Sequence, residues 1–161
     1  KQIRIESKVQ LASRLSYSSG NLPPKVGKTT TYTAVWSISN FYNEVSSVVV
    51  KSSLPPYISW VGPVSPSEEI TYNSSTREIK WNINKIESGT GTLRSAKEIS
   101  FQVSLIPTIN QVGQDLTIIQ QTSLESKDSF TDTVINDSEG ELSTKSISEA
   151  KSNHLKGFVE E

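Results

Sequence analysis

Apolar and polar residues alternate along most of this chain with a period of two. The stretch KTTTYTAVWSISN, residues 28–40, shows the pattern clearly: Tyr32, Ala34, Trp36 and Ile38 fall on one face, and mostly hydroxyl side chains fall on the other. A period of two is typical of a β-strand with one buried face. We therefore predict a strand here, with its Trp and Tyr side chains lining a core.

The alternation is longest at the N-terminus, where it runs from residue 3 to residue 17 with Ile3, Ile5, Val9 and Leu11 in one phase. Strands usually have about 3 to 10 residues, so this segment is unusually long. Two interpretations are open. The strand bends across two sheets, or part of it projects and pairs with the edge of a neighbouring copy or domain, with these four side chains as the inserted residues.

Similar patterns predict further strands, separated by turn signals rich in Gly, Pro, Asn and Ser. They lie in the segments VSSVVVKSS, YISWVG, EEITYNSSTREIKWNI (a hairpin), EISFQVSLIPT, LTIIQQTSLES and FTDTVIND. Eight to nine strands without a long helix favour an all-β fold, an immunoglobulin-like antiparallel β-sandwich. We expect the sandwich to span residues 1–141. Residues 142–161 form a tail, which is either a short helix with a closing strand or a linker to a following domain.

Five phrases occur in the order and spacing of a bacterial surface repeat: PPKVGKTTTYTAVWSISN, LPPYISWVG, EITYNSSTREIKWNI, KEISFQVSLIPTINQVGQ and DSFTDTVI. Over residues 24–135 the chain resembles the conserved-repeat family of immunoglobulin-like domains of unknown function, as found in envelope proteins of candidate-phyla bacteria. The resemblance implies an exported domain at the bacterial cell surface, one of several in a long anchored protein. It implies no catalytic residues and no particular ligand.

Composition narrows the possible partners and cofactors. The 161 residues include 16 basic and 17 acidic ones and no Cys, which excludes disulfides and thiolate metal sites. Nucleic-acid binders concentrate Lys and Arg, so we expect no nucleic-acid partner. No apolar run approaches the roughly 20 residues of a membrane helix, so we expect no membrane contact by this fragment. The absence of Met, even at position 1, leads us to expect a mature or excised piece.

The chain offers little catalytic chemistry, and we predict that it is not an enzyme. Its one histidine, His154, lies in the tail, where we expect a solvated ring and not a member of a Ser-His-Asp triad. Glu68 and Glu69 are adjacent in a turn, so their carboxylates should point apart and not pair across a glycosidic bond.

A lysine–asparagine cross-link beside a buried acid, as found in some bacterial surface domains, is also not expected. By the alternation, Lys8, Lys51 and Lys80 point outward or lie at a strand end. The same alternation places no charged residue on an inward position.

An acidic segment near Gly140 raises the question of calcium, which takes oxygen ligands from loops. Asp132, Asp137, Glu139 and Glu141 lie within ten residues of each other in DTVINDSEGE. The spacing does not match the twelve-residue helix–loop–helix calcium loop. An ordinary acidic hairpin loop is the main interpretation and a calcium site at Asp137, Glu139 and Glu141 the alternative; no other cofactor is expected.

Tyr57 and Trp60 are the candidates for ligand binding. The segment PPYISWVGP is apolar in both phases, so the two rings cannot both be assigned to the interior; they either pack in the core or form an exposed platform for a glycan. We interpret the chain as an extracellular structural, spacer or assembly module of a bacterial cell-surface protein or filament. Its partners would be neighbouring domains or copies of itself. The alternative is an adhesin module that binds glycan or a host protein through loops.

Overall fold

Two antiparallel sheets packed face to face make up the fold, which is the immunoglobulin-like β-sandwich predicted from the alternation. The computed structural model describes residues 2–65 and 69–161, and these residues contain eleven strands. The first sheet has the order β1 (Val9–Gly20), β2 (Thr30–Asn40), β7 (Lys97–Leu105), β4 (Ile58–Ser65). The second has the order β10 (Val134–Glu139), β9 (Thr122–Asp128), β3 (Val45–Ser53), β6 (Glu78–Ile86), β5 (Ile70–Asn73).

The remaining elements are short. β8 (Thr117–Ile119) pairs with β11 (Leu142–Ser143). A 3-10 turn, Ile109–Gln111, precedes β8. The helix α1 (Ser148–Ser152) is followed by a second 3-10 turn, His154–Gly157. No helix among residues 2–65 and 69–161 has the length and apolar character needed to cross a membrane.

The core lies between the sheets, where the period of two placed it. Tyr32, Ala34, Trp36 and Ile38 of β2 are completely buried. Trp36 meets the ring of Phe101 from β7 edge to face, with 5.0 Å between ring centroids. Each large apolar side chain removed from water contributes about 1.5–3 kcal/mol to folding, so the interior of β2 and β7 is a main source of stability.

The first strand is shorter than its pattern predicts at the N-terminus. Its ladder with β2 begins at Val9, opposite Asn40, while residues 2–8 pair in no strand of the described chain. Val9 and Leu11 are buried inside their own domain, whereas Ile3 and Ile5 are 80% and 65% exposed. The alternation runs on past the end of the ladder because side-chain pattern does not reveal where a partner strand stops.

Strand registers define two poles of the sandwich. At the N-terminal pole, Val9 lies opposite Asn40 and Val45 lies opposite both Ile86 and Asp128. At the C-terminal pole, the pairs Gly20–Thr30, Thr30–Leu105 and Ile58–Leu105 close the first sheet. The end of the chain is fixed at this second pole by hydrogen bonds between Glu160 and the backbone of residues 24–26. The two ends of the described chain therefore lie at opposite poles.

The tail, residues 142–161, packs onto the C-terminal pole. Ile147, Ala150 and Val159 are buried in the core. The Thr144 hydroxyl accepts the Leu116 N–H at 3.0 Å and donates to the carbonyl of residue 157 at 2.5 Å. The tail combines a short helix with one isolated bridge near the end of the chain, so it contributes to the same core as the strands.

Both lateral seams between the sheets are closed. On one side, the Leu11 N–H of β1 donates to the Asp137 carboxylate of β10 at 2.7 Å. On the other side, Trp60 of β4 stacks on Tyr72 of β5, with 5.3 Å between centroids and 14° between planes. β4 also contains Pro63 and two register shifts. Proline and bulges on an edge strand disfavour pairing with another chain, so the β4 edge is a poor site for strand addition.

Candidate functional site at the two poles

Exposed large apolar side chains concentrate at the poles. At the N-terminal pole they are Ile3, Ile5, Tyr42, Leu93, Phe130 and Val134, and at the C-terminal pole they are Ile106, Ile109 and Val112. The others in the described residues are Leu155 in the tail and Val61 and Val64 on β4. Apolar surface that gathers in one region marks interaction sites more often than single scattered residues do. The poles are therefore the candidate functional surfaces.

A buried carboxylate organises the N-terminal pole. Asp128, at the end of β9, accepts hydrogen bonds from the Ser7 N–H at 2.7 Å, the Asn43 side-chain amide at 2.9 Å, and the N–H groups of Phe130 and Thr131 at 2.8 and 3.0 Å. Burial by itself raises the pKa of Asp128, but these donors outweigh it and lower the pKa to about 2. A carboxylate that accepts several N–H bonds favours its charged form in this way.

Asp128 corrects the expectation that no charged residue points inward. The charge is tolerated because its donors replace the water that it loses. The lysines near this pole stay outside: Lys8 lies over the ring of Phe41 with its ammonium 5.7 Å from the centroid, and Lys127 pairs with Asp132 at 2.7 Å. Lys51 is exposed, on the outer face of the second sheet. The buried acid thus works through hydrogen bonds to amide and backbone groups.

Ser7 links the N-terminal segment to the same network. Its hydroxyl donates to the Asn40 side-chain oxygen at 2.5 Å and accepts the N–H groups of Tyr42 and Asn43, each at 3.1 Å. The Asn43 amide also donates to the carbonyl of Ile5 at 2.6 Å. The backbone from Ile5 to Ser7 is therefore held on the pole, while the side chain of Ile5 faces solvent.

Two aromatic side chains flank this segment. The Arg4 guanidinium lies over the ring of Phe130, 5.6 Å from its centroid. Phe130 and Tyr42 are 49% and 61% exposed. Together with Ile3 they give the N-terminal pole an aromatic and aliphatic surface beside a cation, a composition that is common at the centre of protein interfaces.

The C-terminal pole presents its apolar residues on a fixed loop. After β7, Thr108 and Gln111 form a reciprocal capping interaction, in which the Gln111 side-chain oxygen accepts the Thr108 N–H at 2.9 Å. The Gly113 N–H then donates to the carbonyl of Val159 at 2.9 Å. Ile109 and Val112 are therefore held by bonds at both ends of the loop and not by their own burial.

Tyr57 and Trp60 are both partly buried against the core and have different neighbours. Trp60 is half-buried in the lateral seam, where it stacks on Tyr72 and also packs 5.3 Å from the ring of Phe101. Tyr57 lies at the C-terminal pole beside Thr117, and burial, followed by the charge of Glu141, raises the pKa of its hydroxyl. Of the two sequence interpretations, packing describes Trp60 better than a sugar-binding surface does.

The three acidic residues proposed for calcium do not converge. Asp137 and Glu139 line one groove beside β1, where Asp137 accepts the Leu11 N–H. Glu141 instead lies near Tyr57 and raises the pKa of its hydroxyl. Within residues 2–65 and 69–161, no three His, Asp or Glu side chains come together in a way that could hold a metal ion. The structure thus does not bring Asp137, Glu139 and Glu141 together as ligands of one ion.

Of the residues considered for catalysis, the two that the structure describes, His154 and Glu69, have different neighbours. His154 is exposed in the tail, edge-on to Phe158. Glu69 is exposed and lies 3.9 Å from the Lys97 ammonium, while Glu68 is outside the described residues. A depression on the outer face of the second sheet is lined by Lys51, Lys80, Glu125 and Asn136, among others, and includes neither His154 nor Glu69.

Sequence reasoning missed the network around Asp128, although part of its signal was present. Asp followed by Ser-Phe-Thr forms an Asx turn, in which the side chain accepts the N–H groups two and three residues on. The hydrogen bond from the Ser7 N–H to Asp128 could not be predicted from the local pattern, because the two residues are 121 positions apart.

No known family model and no curated protein matches the sequence, so the likeness to the conserved-repeat family stays a resemblance. Solved structures do match the fold. The full-length major pilin SpaD from Corynebacterium diphtheriae aligns with a TM-score of 0.53 and 9% identity, over 83% of this chain and 35% of the pilin. BcpA, the major pilin subunit of Bacillus cereus, aligns with a TM-score of 0.53 and 12% identity, over 84% of this chain and 39% of the pilin.

These likenesses establish the fold. The alignment of this chain spans little more than a third of either pilin. An exo-β-N-acetylglucosaminidase from Vibrio harveyi also matches, with a TM-score of 0.43, which is too low to bear on activity. Two of the solved structures that this fold resembles are thus bacterial major pilins.

Proposed function

We propose that the chain is a non-enzymatic structural module of a bacterial surface filament or surface protein, which joins its neighbours through its two poles. The observation that carries this proposal is the distribution of exposed apolar residues: they gather at opposite ends of the sandwich, while both lateral seams are closed. The neighbours are other copies of the chain or adjoining domains. The likeness to major pilin domains supports a place at the cell surface.

Contact between two different surfaces of identical subunits extends in one direction. When the pole bearing Ile3 and Ile5 of one copy meets the pole bearing Ile109 and Val112 of another, each copy keeps one free pole, and the pair has one free pole of each kind. Such a heterologous contact produces an open linear array unless its rotation closes a ring. The same geometry suits a covalently attached neighbour, because the two ends of the described chain lie at opposite poles.

Sedimentation velocity over a concentration series tests this function. We expect the wild-type protein to form larger species as its concentration rises. Ile5→Asp should remove them, because it places a charge on the N-terminal pole while leaving the backbone bond of residue 5 to Asn43 intact. Val61→Asp is the matched control, since Val61 is 53% exposed on the lateral edge, and it should associate like the wild type.

Two results would count against the proposal. A wild-type protein that stays monomeric at every concentration would contradict joining between copies. Equal loss of association in Ile5→Asp and Val61→Asp would contradict the assignment of the contact to the poles.

A further inference from the structure

The first strand and the last long strand lie side by side and run in the same direction. β1 runs from Val9 at the N-terminal pole to Gly20 at the C-terminal pole. β10 begins with Val134 opposite Lys127, next to the N-terminal pole, and runs toward the C-terminal pole. Each is an outer strand of its own sheet. Tension applied to the two ends of the chain therefore pulls β1 and β10 in opposite directions along their own axes.

Two carboxylates of the second sheet hold the N-terminal strand segment across this seam. Asp137 of β10 accepts the Leu11 N–H at 2.7 Å, and Asp128, at the end of the neighbouring β9, accepts the Ser7 N–H at 2.7 Å. Hydrogen bonds to an ionised acceptor are about twice as strong as neutral ones. Both donors belong to the backbone of the segment that end-to-end tension would displace.

The direction of loading makes these bonds act together. Because β1 is pulled along its axis, its ladder with β2, which extends from Val9 to Gly20, is sheared as a whole and is not opened one pair at a time. The carboxylate bonds at Ser7 and Leu11 lie at the end of β1 where the force enters. They must break before the strand can slide.

We propose that Asp128 and Asp137 form a mechanical tie between the first strand and the second sheet, which gives the module resistance to end-to-end tension. This further function rests on the proposed structural role, since a module joined at both poles carries tension along its long axis. The tie determines the mechanical resistance of one molecule and not its association with others, so it is measured as an unfolding rate on single molecules.

Single-molecule force-clamp measurements on the full chain can test the tie, because the sequence has no Cys and thiol handles can be placed at chosen positions. In the first geometry the handles are Gln2→Cys and Glu161→Cys, so the tie lies in the path of the force. In the second they are Asn21→Cys and Glu161→Cys. Asn21 is exposed in the turn after β1, so β1 lies outside the path.

We expect Asp137→Ala to raise the unfolding rate at constant force about tenfold in the first geometry, as for a charged hydrogen bond broken before the transition state. In the second geometry the rate should change by less than about twofold, because a bond outside the force path contributes little to the barrier. Asp132→Asn is the matched control; this acid is exposed and pairs with Lys127, and Asn tolerates its positive φ, so the variant should change neither rate. Asp137→Asn, which keeps an acceptor oxygen without the charge, should give an intermediate rate in the first geometry and serves if the alanine variant folds poorly.

Equal acceleration by Asp137→Ala in both geometries would overturn the proposal, because it would indicate general destabilisation. So would an unchanged rate in the first geometry. These outcomes are separate from those for assembly: a protein that is monomeric in sedimentation yet weakened by Asp137→Ala in the first geometry alone would lose the assembly role and keep the tie.

Discussion

Asp128 shows how one side chain can organise a pole of the molecule. It accepts hydrogen bonds from Ser7, Asn43, Phe130 and Thr131, which come from three separate segments of the chain. Removing such a buried acceptor lowers the stability of the fold mainly because its donors would stay buried without a hydrogen-bond partner. The N-terminal segment depends on this residue for its position.

We predict that Asp128→Ala lowers the free energy of unfolding by about 3 kcal/mol at neutral pH, the upper range for hydrogen bonds to a charged group. The pKa of Asp128 is lowered from 3.8 to about 2 in the folded protein. Its contribution is therefore complete above pH 3.8 and is lost as the pH falls from 3.8 through 2. Urea unfolding at a series of pH values should show the difference between wild type and variant shrinking over this range.

Asp132→Asn is the control for this series, because Asp132 is exposed, belongs to the same loop and has a positive φ that Asn tolerates. It should change the free energy of unfolding little at any pH. A wild-type advantage over Asp128→Ala that stays constant down to pH 2 would show that the charged form is not what stabilises the fold.

At the scale of single elements, sequence pattern predicted the strands well where a partner strand runs along the whole element. β2 and β3 match the alternating segments, and β5 and β6 form the predicted hairpin. The period of two identifies the buried face from neighbouring residues alone. It succeeds in these elements because each has a partner strand along its whole length.

The alternation of apolar and polar residues predicted the wrong strand limits where tertiary contacts determine them. The N-terminal alternation continues to Ile3 although the ladder ends at Val9. The last strand was predicted from Phe130 but begins at Val134, because the Asx turn of Asp128 and the positive φ of Asp132 form a loop first. Local side-chain pattern contains neither kind of information.

Truncation of the N-terminus tests the structural boundary that these contacts define. We predict that removing residues 1–4 changes the free energy of unfolding by less than about 0.5 kcal/mol, as for exposed positions. Removing residues 1–8 should lower it by about 3 kcal/mol, because Ser7 and the Lys8 carbonyl leave the buried network. Chemical denaturation of both variants gives the comparison, and equal stabilities would contradict the role of Ser7.

At the scale of the whole molecule, the sandwich has closed sides and apolar ends. Ile3 and Ile5 were candidates for contact with a neighbour from the sequence alone, because the alternation that includes them is longer than a normal strand. Ile109 and Val112 at the other pole were not, since their exposure depends on a loop fixed by the tail through Gly113 and Val159. Of the exposed apolar residues at the two poles, only Ile3 and Ile5 were thus candidates from the sequence, and the others became apparent from the fold.

Disulfide trapping between two single-cysteine variants tests the central claim most directly. Ile5→Cys and Ile109→Cys are mixed, with a mass tag on one of them, and oxidised gently; the chain has no Cys of its own. Val61→Cys replaces Ile109→Cys in the control mixture. If opposite poles of neighbouring copies meet, the first mixture will give mixed dimers and the control will not. Mixed dimers in equal amounts from both mixtures, or from neither, would contradict the account.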